Sequence, residues 1–272
     1  MKILKSKLHV LVALSFLGFV GWWLSFQRIV ENQSITVQWF GGTYGVLALM
    51  GAIIGLVTAL KWGGFKTILG KALMFVSLGL LFQEFGQLIL TYYIYGSHIQ
   101  IPYPSWGDVA YFGSTLSYIC GGIFLTKAVG IKFSLKNVKY KAVAFLVPAI
   151  LLAISYAIFL FHHQYDFGKP LTVFLDLGYP IGDAIYISLA VLAYLLSSRL
   201  LGGVMKPAII ILICGLFLQY VADFNFLYQS SRGTYLAGKY ADLLYLIAYF
   251  VTTTAMVRFY LIYSNLKAST NG

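Results

Sequence analysis

The sequence predicts an all-α fold, a polytopic membrane helical bundle of about eight transmembrane helices that forms one integral membrane domain over residues 1–272. Hydrophobic residues make up 60% of the chain, charged residues only 10%, and the mean hydropathy is +0.83. Soluble domains, by contrast, carry about 25% charged residues. Apolar stretches of the roughly 20 residues that span a bilayer recur along the whole chain. The segments between them are too short for a soluble domain.

Each predicted helix corresponds to one apolar segment. The eight segments are residues 8–27, 39–60, 72–95, 107–128, 142–162, 171–197, 207–228 and 240–263. The first follows a basic start that resembles a signal peptide, but no small-residue cleavage site follows it, so we expect this helix to be retained. Segments three and four, five and six, and seven and eight are predicted to form three hairpins of the same sense. In the sixth segment Pro180 predicts a kink or break.

The positions of the basic residues predict the orientation. With a cytoplasmic N-terminus, 15 of the 19 Lys and Arg residues fall on the inner side, and the outer side keeps Arg28, Lys169, Arg232 and Lys239. Because all loops are short, this bias should set the topology. We therefore expect a multi-pass protein of the plasma membrane with both termini in the cytoplasm. The net charge of +11 then comes from basic residues beside the membrane. We therefore expect the lipid bilayer, and not a nucleic acid, as partner.

Six of the eight acidic residues lie inside or at the rim of apolar segments, and all six fall toward the outer side. Glu84 and Asp183 are deepest, near the midplane, while Asp176 and Asp223 are about 8 Å below the surface at 1.5 Å per residue. Carboxylates are costly in lipid and usually face a bundle interior. We expect these acids to be protonated, to hold a cation, or to be hydrated. The simpler alternative is that they are hydrogen-bonding groups that tie helices together.

A short motif is shared by three inward-running segments. It reads small residue–Asp–x–x–Tyr and occurs as Gly107-Asp108-x-x-Tyr111, Gly182-Asp183-x-x-Tyr186 and Ala241-Asp242-x-x-Tyr245. Residues three apart share a helix face, so each Asp and Tyr should point the same way. The predicted outward-facing ligand or cation pocket therefore comprises Glu84, Asp108, Tyr111, Asp176, Asp183, Tyr186, Asp223, Asp242 and Tyr245.

These motifs carry a resemblance to a known family. The opening Tyr-Pro-Ser-Trp-Gly-Asp108-x-x-Tyr111, the later Tyr-Pro-x-Gly-Asp183 and Ala-Asp223, and the closing Lys-Tyr-Ala-Asp242-x-x-Tyr245 are similar to the multi-helix N-terminal membrane regions of certain bacterial diguanylate cyclases and related signalling proteins. The match covers about residues 70–262. It implies a sensory or anchoring module. No GGDEF-like or kinase sequence precedes Gly272, so we expect any output to come from a separate signalling protein or from a homo-oligomer.

The sequence lacks the residues that several other classes of protein require. No Lys is embedded in the bundle for a retinal Schiff base, the outer half has no basic cradle for phosphoryl chemistry, and no HExxH or GxSxG motif occurs. A zinc hydrolase built on His98, His162 and His163 is a minor alternative. We expect no catalytic residues and no cofactor, and the identity of any metal is open. The main hypothesis is a sensory or scaffold membrane module. The alternative is a transporter or channel for protons, cations or a cationic solute.

Overall fold

The structure, a computed structural model, describes residues 7–27, 35–97, 102–129, 138–160, 166–200, 204–232 and 234–270. Within these ranges the regular elements are helical and no strand occurs, which confirms the all-α prediction. The α-helices are α1 (Lys7–Phe26), α2 (Ile35–Thr43), α3 (Val46–Lys61), α4 (Ile68–Thr91), α5 (Trp106–Ala128), α6 (Val138–Ser155), α7 (Pro170–Leu200), α8 (Lys206–Ser231) and α9 (Tyr240–Thr270).

Each of the eight predicted segments contains helix. In the described part of the chain, seven helical stretches are long and apolar enough to cross a membrane, one of them being Trp39–Lys61, which joins the end of α2 to α3. The fifth segment is α6, whose apolar part Phe145–Ile158 is shorter and runs into a π-helical stretch at Tyr156–Leu160. The chain is a multi-pass membrane protein. The break expected at Pro180 is absent, because α7 is one continuous helix.

Helices α3, α4, α5, α7, α8 and α9 form a ring, in which each helix packs against its two neighbours in that order and α9 closes on α3. We refer to these helices as the helical ring. Helix α1 packs mainly on α9, and α6 packs mainly on α7, so both lie outside the ring. Segments one to four and segments five to eight thus follow the same plan, in which one peripheral helix is followed by three helices of the ring.

The two ends of the helical ring differ in polarity. One end, where α3, α5, α7 and α9 finish, is filled by a continuous apolar core, and we call it the apolar end. Its buried side chains come from every helix of the ring and include Ala59, Leu73, Val76, Leu125, Ile187, Ala193, Ile209, Leu212, Met256 and Phe259. At the other end, where α5, α7 and α9 begin, lie the embedded acids and many tyrosines. We call that end the acidic end.

Small residues let the ring helices approach closely. A β-carbon at Gly55 of α3 would collide with the hydroxyl of Ser77 in α4, and one at Gly79 of α4 would collide with the ring of Tyr118 in α5. Small residues at helix contacts allow this close packing in membranes, where dispersion contacts replace the hydrophobic effect between helices. The ring is therefore tightly packed where α3, α4 and α5 meet.

Candidate functional site: a carboxylate and tyrosine network

Asp223 of α8 is the centre of a hydrogen-bond network at the acidic end. Its Oδ2 accepts a hydrogen bond of 2.9 Å from the hydroxyl of Tyr186 on α7. Its Oδ1 accepts one of 2.9 Å from Tyr245 on α9 and one of 3.0 Å from Nε2 of Gln219, one helical turn away. Three helices of the ring are therefore connected through a single carboxylate. Because the amide and the two hydroxyls serve as donors here, the arrangement suits an ionised acceptor.

Two other carboxylates are buried without full hydrogen bonding. Asp183 is 3% exposed and Glu84 is 5% exposed. One oxygen of each, Oδ1 of Asp183 and Oε2 of Glu84, has no hydrogen-bond partner. The Glu84 oxygen lies against the backbone of Gly45, where a β-carbon would collide with it. Buried polar atoms are almost always hydrogen-bonded, so two unpaired carboxylate oxygens require an explanation.

No described basic side chain compensates these buried acids. The only ion pair in the described ranges joins Lys169 to Asp166, at 3.7 Å, in an exposed position before α7. Removing a carboxylate from water without a counter-charge is strongly unfavourable. Glu84 and Asp183 must therefore be neutralised by something other than a lysine or arginine of this part of the chain.

A second network surrounds the side-chain amides of α4. Oε1 of Gln87 accepts hydrogen bonds from the hydroxyls of Tyr111, at 3.2 Å, and Tyr44, at 3.4 Å, and its Nε2 donates to the carbonyl of Gly41. One turn earlier, Gln83 forms a similar bridge. Gln83 donates to Ser114 Oγ at 2.9 Å and accepts from the hydroxyl of Tyr249 at 3.1 Å. These bonds link α4 to α5, to α9, to α2 and to the turn before α3.

Asp108 and Asp242 occupy matching positions at the first turns of α5 and α9. Oδ2 of Asp108 accepts from the backbone N–H and the hydroxyl of Ser105, in a capping box. Its Oδ1 accepts from the hydroxyl of Tyr179 at 3.2 Å. Asp242 accepts from the backbone N–H of Gly238 at 2.6 Å and from the hydroxyl of Tyr235 at 3.1 Å. Both acids thus stabilise the start of their own helix.

The loop tyrosines at this end act as donors to carboxylates. Tyr103 donates to Oδ1 of Asp176 at 2.7 Å. Burial, followed by the hydrogen bond to Asp176, raises the pKa of Tyr103. Burial and the charge of Asp242 likewise raise the pKa of Tyr235 well above its usual value. Both phenols therefore stay protonated across the neutral pH range and retain the hydrogen that they donate.

The predicted site residues thus fall into three groups. Asp183, Tyr186, Asp223 and Tyr245 come together where α7, α8 and α9 meet. Tyr111 belongs to the amide network of α4 and α5, and Glu84 lies close to it. Asp108, Asp176 and Asp242 lie at the rim. Asp and Tyr of one motif do not share a partner. The sequence reasoning left Tyr44, Gln83 and Gln219 out of the site.

The structure shows neither a metal-ligand cluster nor one of its two main cavities within the carboxylate and tyrosine network of the described part of the chain. No group of three or more His, Cys, Asp and Glu side chains that could hold a metal ion occurs in the ranges that the structure describes. The zinc alternative falls on His98, His162 and His163, which lie outside those ranges. Two cavities lie elsewhere. A lateral groove of about 340 Å³ faces α6 and α8 and includes Tyr220 and Asn225. A cavity of about 480 Å³ lies at the apolar end, between the last turns of α3 and α9.

Fold and site together define a multi-pass helical membrane protein with a buried network of carboxylates, amides and tyrosines at one end of its bundle. Comparison with known proteins found no matching family model, no matching curated protein and no matching solved structure.

Proposed function

We propose that this protein is a sensory membrane module that responds to protons or to a small inorganic cation through Glu84 and Asp183. The observation that carries this proposal is the pair of buried carboxylate oxygens without a hydrogen-bond partner, in a region without a described basic residue. A proton on each acid, or one cation near it, supplies the missing positive charge. Protonation or cation binding then changes the interactions that hold α3, α4, α7 and α8 together.

Close packing favours a small ligand. Both acids are at least nine-tenths buried. The neighbouring phenols and an amide already donate to Asp223, Gln83 and Gln87 at hydrogen-bond distance. The oxygen of Glu84 lies against the backbone of Gly45, the residue that precedes α3. An organic cation would have to displace these side chains. A proton or a bare inorganic ion needs no such rearrangement.

The polarity of the two ends favours sensing over transport. A carrier exposes its site to both sides of the membrane in turn. Here the apolar end of the ring is filled by large buried side chains such as Leu73, Leu125 and Phe259. A site that is polar on one side only suits a module that detects conditions on that side. The resemblance to membrane regions of signalling proteins supports the same function, with a separate signalling protein or a second copy as its partner.

We propose that the protein lies in the plasma membrane with its acidic end outside the cell. Both termini then lie in the cytoplasm. This orientation rests on the 15-to-4 division of basic residues. Reporter fusions test it directly. Fusions at Ser34, Ser97 and Ser230 should report an outside location, and fusions at Gly64 and Ser134 an inside one. An outside signal at Ser134 would contradict this topology.

Thermal unfolding of the purified protein tests the response itself. Wild type should change its midpoint between about pH 5 and about pH 8, the range of physiological switching, or on addition of sodium, potassium, magnesium or calcium ions. Glu84→Gln and Asp183→Asn preserve shape and remove the ionisable group, so each should reduce that change. Asp166→Asn, at the exposed ion pair with Lys169, is the matched control and should leave the change intact.

The outcomes separate the candidate functions. If Glu84→Gln and Asp183→Asn both respond to pH and cations as wild type does, the two acids have only a structural role and the proposal fails. Vesicles that contain the purified protein distinguish sensing from transport. Uptake of protons or of a labelled cation above the level of empty vesicles, abolished by Asp183→Asn, would replace the sensory assignment by a transporter.

A further inference from the structure

Both halves of the helical ring repeat one arrangement of tyrosines around a polar residue. In the first half, Gln87 of α4 accepts hydrogen bonds from Tyr44, which lies just before α3, and from a tyrosine of the following helix α5. In the second half, Asp223 of α8 accepts them from Tyr186 of α7 and from a tyrosine of the following helix α9. These contacts align Tyr44 with Tyr186 and Gln87 with Asp223.

The residue three positions before the aligned tyrosine differs between the halves. It is Gly41 before Tyr44, and it is Asp183 before Tyr186. In the first half, Nε2 of Gln87 donates a hydrogen bond to the carbonyl of Gly41. In the second half both corresponding side chains are carboxylates, and an ionised carboxylate only accepts hydrogen bonds. The second half therefore lacks the hydrogen donor that joins these two positions in the first half.

Asp183 and Asp223 lie close to each other where α7 packs on α8. Asp183 shares a face of α7 with Tyr186, whose hydroxyl donates to Asp223 at 2.9 Å, and the charge of Asp223 acts on Asp183. Oδ1 of Asp183, in a side chain that is 3% exposed, has no hydrogen-bond partner. Asp223 accepts three hydrogen bonds. An unpaired oxygen thus lies near a carboxylate that suits the ionised state.

The other titratable groups that face these two carboxylates are tyrosines. In the described part of the chain they are Tyr186 of α7, Tyr220 of α8, Tyr111 and Tyr118 of α5, and Tyr245 and Tyr249 of α9. No described lysine, arginine or histidine forms an ion pair with either acid. A neutral phenol donates a hydrogen bond but supplies no charge. Two ionised carboxylates in one buried site repel each other, so one of them keeps a proton.

A divalent metal ion does not suit this position. Calcium and magnesium ions take six or more oxygen ligands, and the described residues contain no metal-binding group of three or more His, Cys, Asp and Glu side chains. We propose that Asp183 and Asp223 form a carboxylate pair that holds one proton, donated from Asp183 toward Asp223. This proton corresponds to the side-chain amide hydrogen of Gln87 in the first half. The proposal rests on the proposed sensory function, names the proton as the ligand of Asp183 and adds Asp223 to that site.

Release of the proton to water leaves two negative charges between α7 and α8 and weakens their contact. In the unfolded chain an aspartic acid releases its proton near pH 4. At higher pH, folding therefore takes up a proton until the pair itself releases it, and stability falls as the pH rises. In Glu84→Gln the other unpaired acid cannot titrate. The thermal midpoint of this variant should still fall from about pH 5 to about pH 8.

Infrared difference spectra over the same pH range test the pair directly, because a protonated carboxyl group and a carboxylate absorb at different frequencies. The parent is the full-length protein with Glu84→Gln, and it should show a carboxyl band that disappears as the pH rises. Adding Asp183→Asn should remove this band. Adding Asp223→Asn removes the neighbouring charge, so the band should disappear at a pH lower by about one unit or more. Adding Asp166→Asn, at an exposed position, is the matched control and should leave the band unchanged.

The outcomes separate this proposal from the sensory function. If Asp223→Asn leaves the titration unchanged, the pair is overturned, while Asp183 stands as a single site. A parent spectrum without a band that depends on Asp183 overturns the proton, and stabilisation by sodium or potassium ions that requires Asp183 would then identify a cation. If Asp183→Asn does not fold, the shift caused by Asp223→Asn still decides. The sensory function fails by another result, an unchanged thermal response in both Glu84→Gln and Asp183→Asn.

Discussion

Helix pair α4–α5 and helix pair α8–α9 occupy corresponding places in the two halves of the ring. Their sequences match where they carry the polar network: residues 79–87 read Gly-Leu-x-x-Gln-x-x-Gly-Gln, and residues 215–223 read Gly-Leu-x-x-Gln-x-x-Ala-Asp. Tyr111 donates to Gln87 in the first pair, and Tyr245 donates to Asp223 in the second. The same contact is therefore made once to a neutral amide and once to a carboxylate.

The difference between Gln87 and Asp223 separates packing from charge. Because the amide supports the same tyrosine contact, a negative charge at this position is not required to join the two helices. The charge on Asp223 has a further role, and its neighbour Asp183 is one of the two carboxylates with an unpaired oxygen. We infer that α8–α9 and the adjoining α7 carry most of the electrostatic response, while α4–α5 contribute mainly structure apart from Glu84.

The largest expected loss of unfolding free energy comes from truncating Asp223, in comparison with truncating the corresponding Gln87. Asp223→Ala leaves Tyr186, Tyr245 and Gln219 without their acceptor, and each buried donor left unpaired costs about 1–3 kcal/mol. We expect a loss of about 3 kcal/mol. Gln87→Ala removes two longer bonds from tyrosine hydroxyls, of 3.2 and 3.4 Å, and the bond to the Gly41 carbonyl, all of them with neutral groups, and should cost about half as much. Unfolding free energies in mixed micelles measure both, and an equal cost for the two variants would remove the proposed asymmetry.

The glycines that begin the two matching stretches provide a second comparison. A β-carbon at Gly79 would collide with the ring of Tyr118, and one at Gly215 with the hydroxyl and backbone of Thr252. Overpacking costs about 1–3 kcal/mol, so Gly79→Ala and Gly215→Ala should both be destabilising. Gly21→Ala in α1 meets nothing within 4 Å and is the control. A neutral Gly215→Ala would mean that the two pairs are packed differently.

Replacing Asp223 by Asn makes the second pair chemically like the first. Asn has one acceptor oxygen and one amide that donates, so one of the three present donors must reorient. We expect a loss of about 1 kcal/mol, less than for Asp223→Ala. Unfolding measurements at several pH values should also show a weaker pH dependence than in wild type. Wild-type pH dependence in this variant would assign the response to Glu84 and Asp183 alone.

The smallest effects are expected at the rim, where Tyr179 donates to Asp108 and Tyr235 donates to Asp242. Tyr235→Phe and Tyr179→Phe should each cost about 0.5–1 kcal/mol. Because the pKa of Tyr235 is raised in the folded protein, its protonated phenol contributes its full stability at any pH below the usual tyrosine pKa of about 10. That contribution is lost only at higher pH. The cost of Tyr235→Phe should therefore be constant from about pH 5 to about pH 8.

Much of this fold follows from the sequence, because apolar length and the positions of the acids are local properties. All eight segments contain helix, and the embedded acids gather at one end. Ser105 and Asp108 also form a capping-box pattern that sequence reasoning could have identified. The match between residues 79–87 and 215–223 was likewise visible, and it would have added Gln83 and Gln219 to the site.

The partners of individual side chains could not be predicted in this way. They depend on the order of helices around the ring, and in particular on α6 lying outside it. The sequence placed Asp183 and Tyr186 on one helix face, as part of one pocket. In the structure Tyr186 instead donates to Asp223 of the next helix, while one oxygen of Asp183 is unpaired. That outcome is set by tertiary packing and not by spacing along one helix.

The deep burial of Glu84 and Asp183 also affects how fast the protein can respond to protons or cations. An ion or proton cannot reach a side chain that is 95% or more enclosed unless the surrounding helices first move apart, and collective helix motions take microseconds to milliseconds. The speed of the response should then be limited by this opening. After a rapid pH jump, the observed rate should level off as the proton or cation concentration rises, since opening, and not diffusional encounter, becomes the slow step.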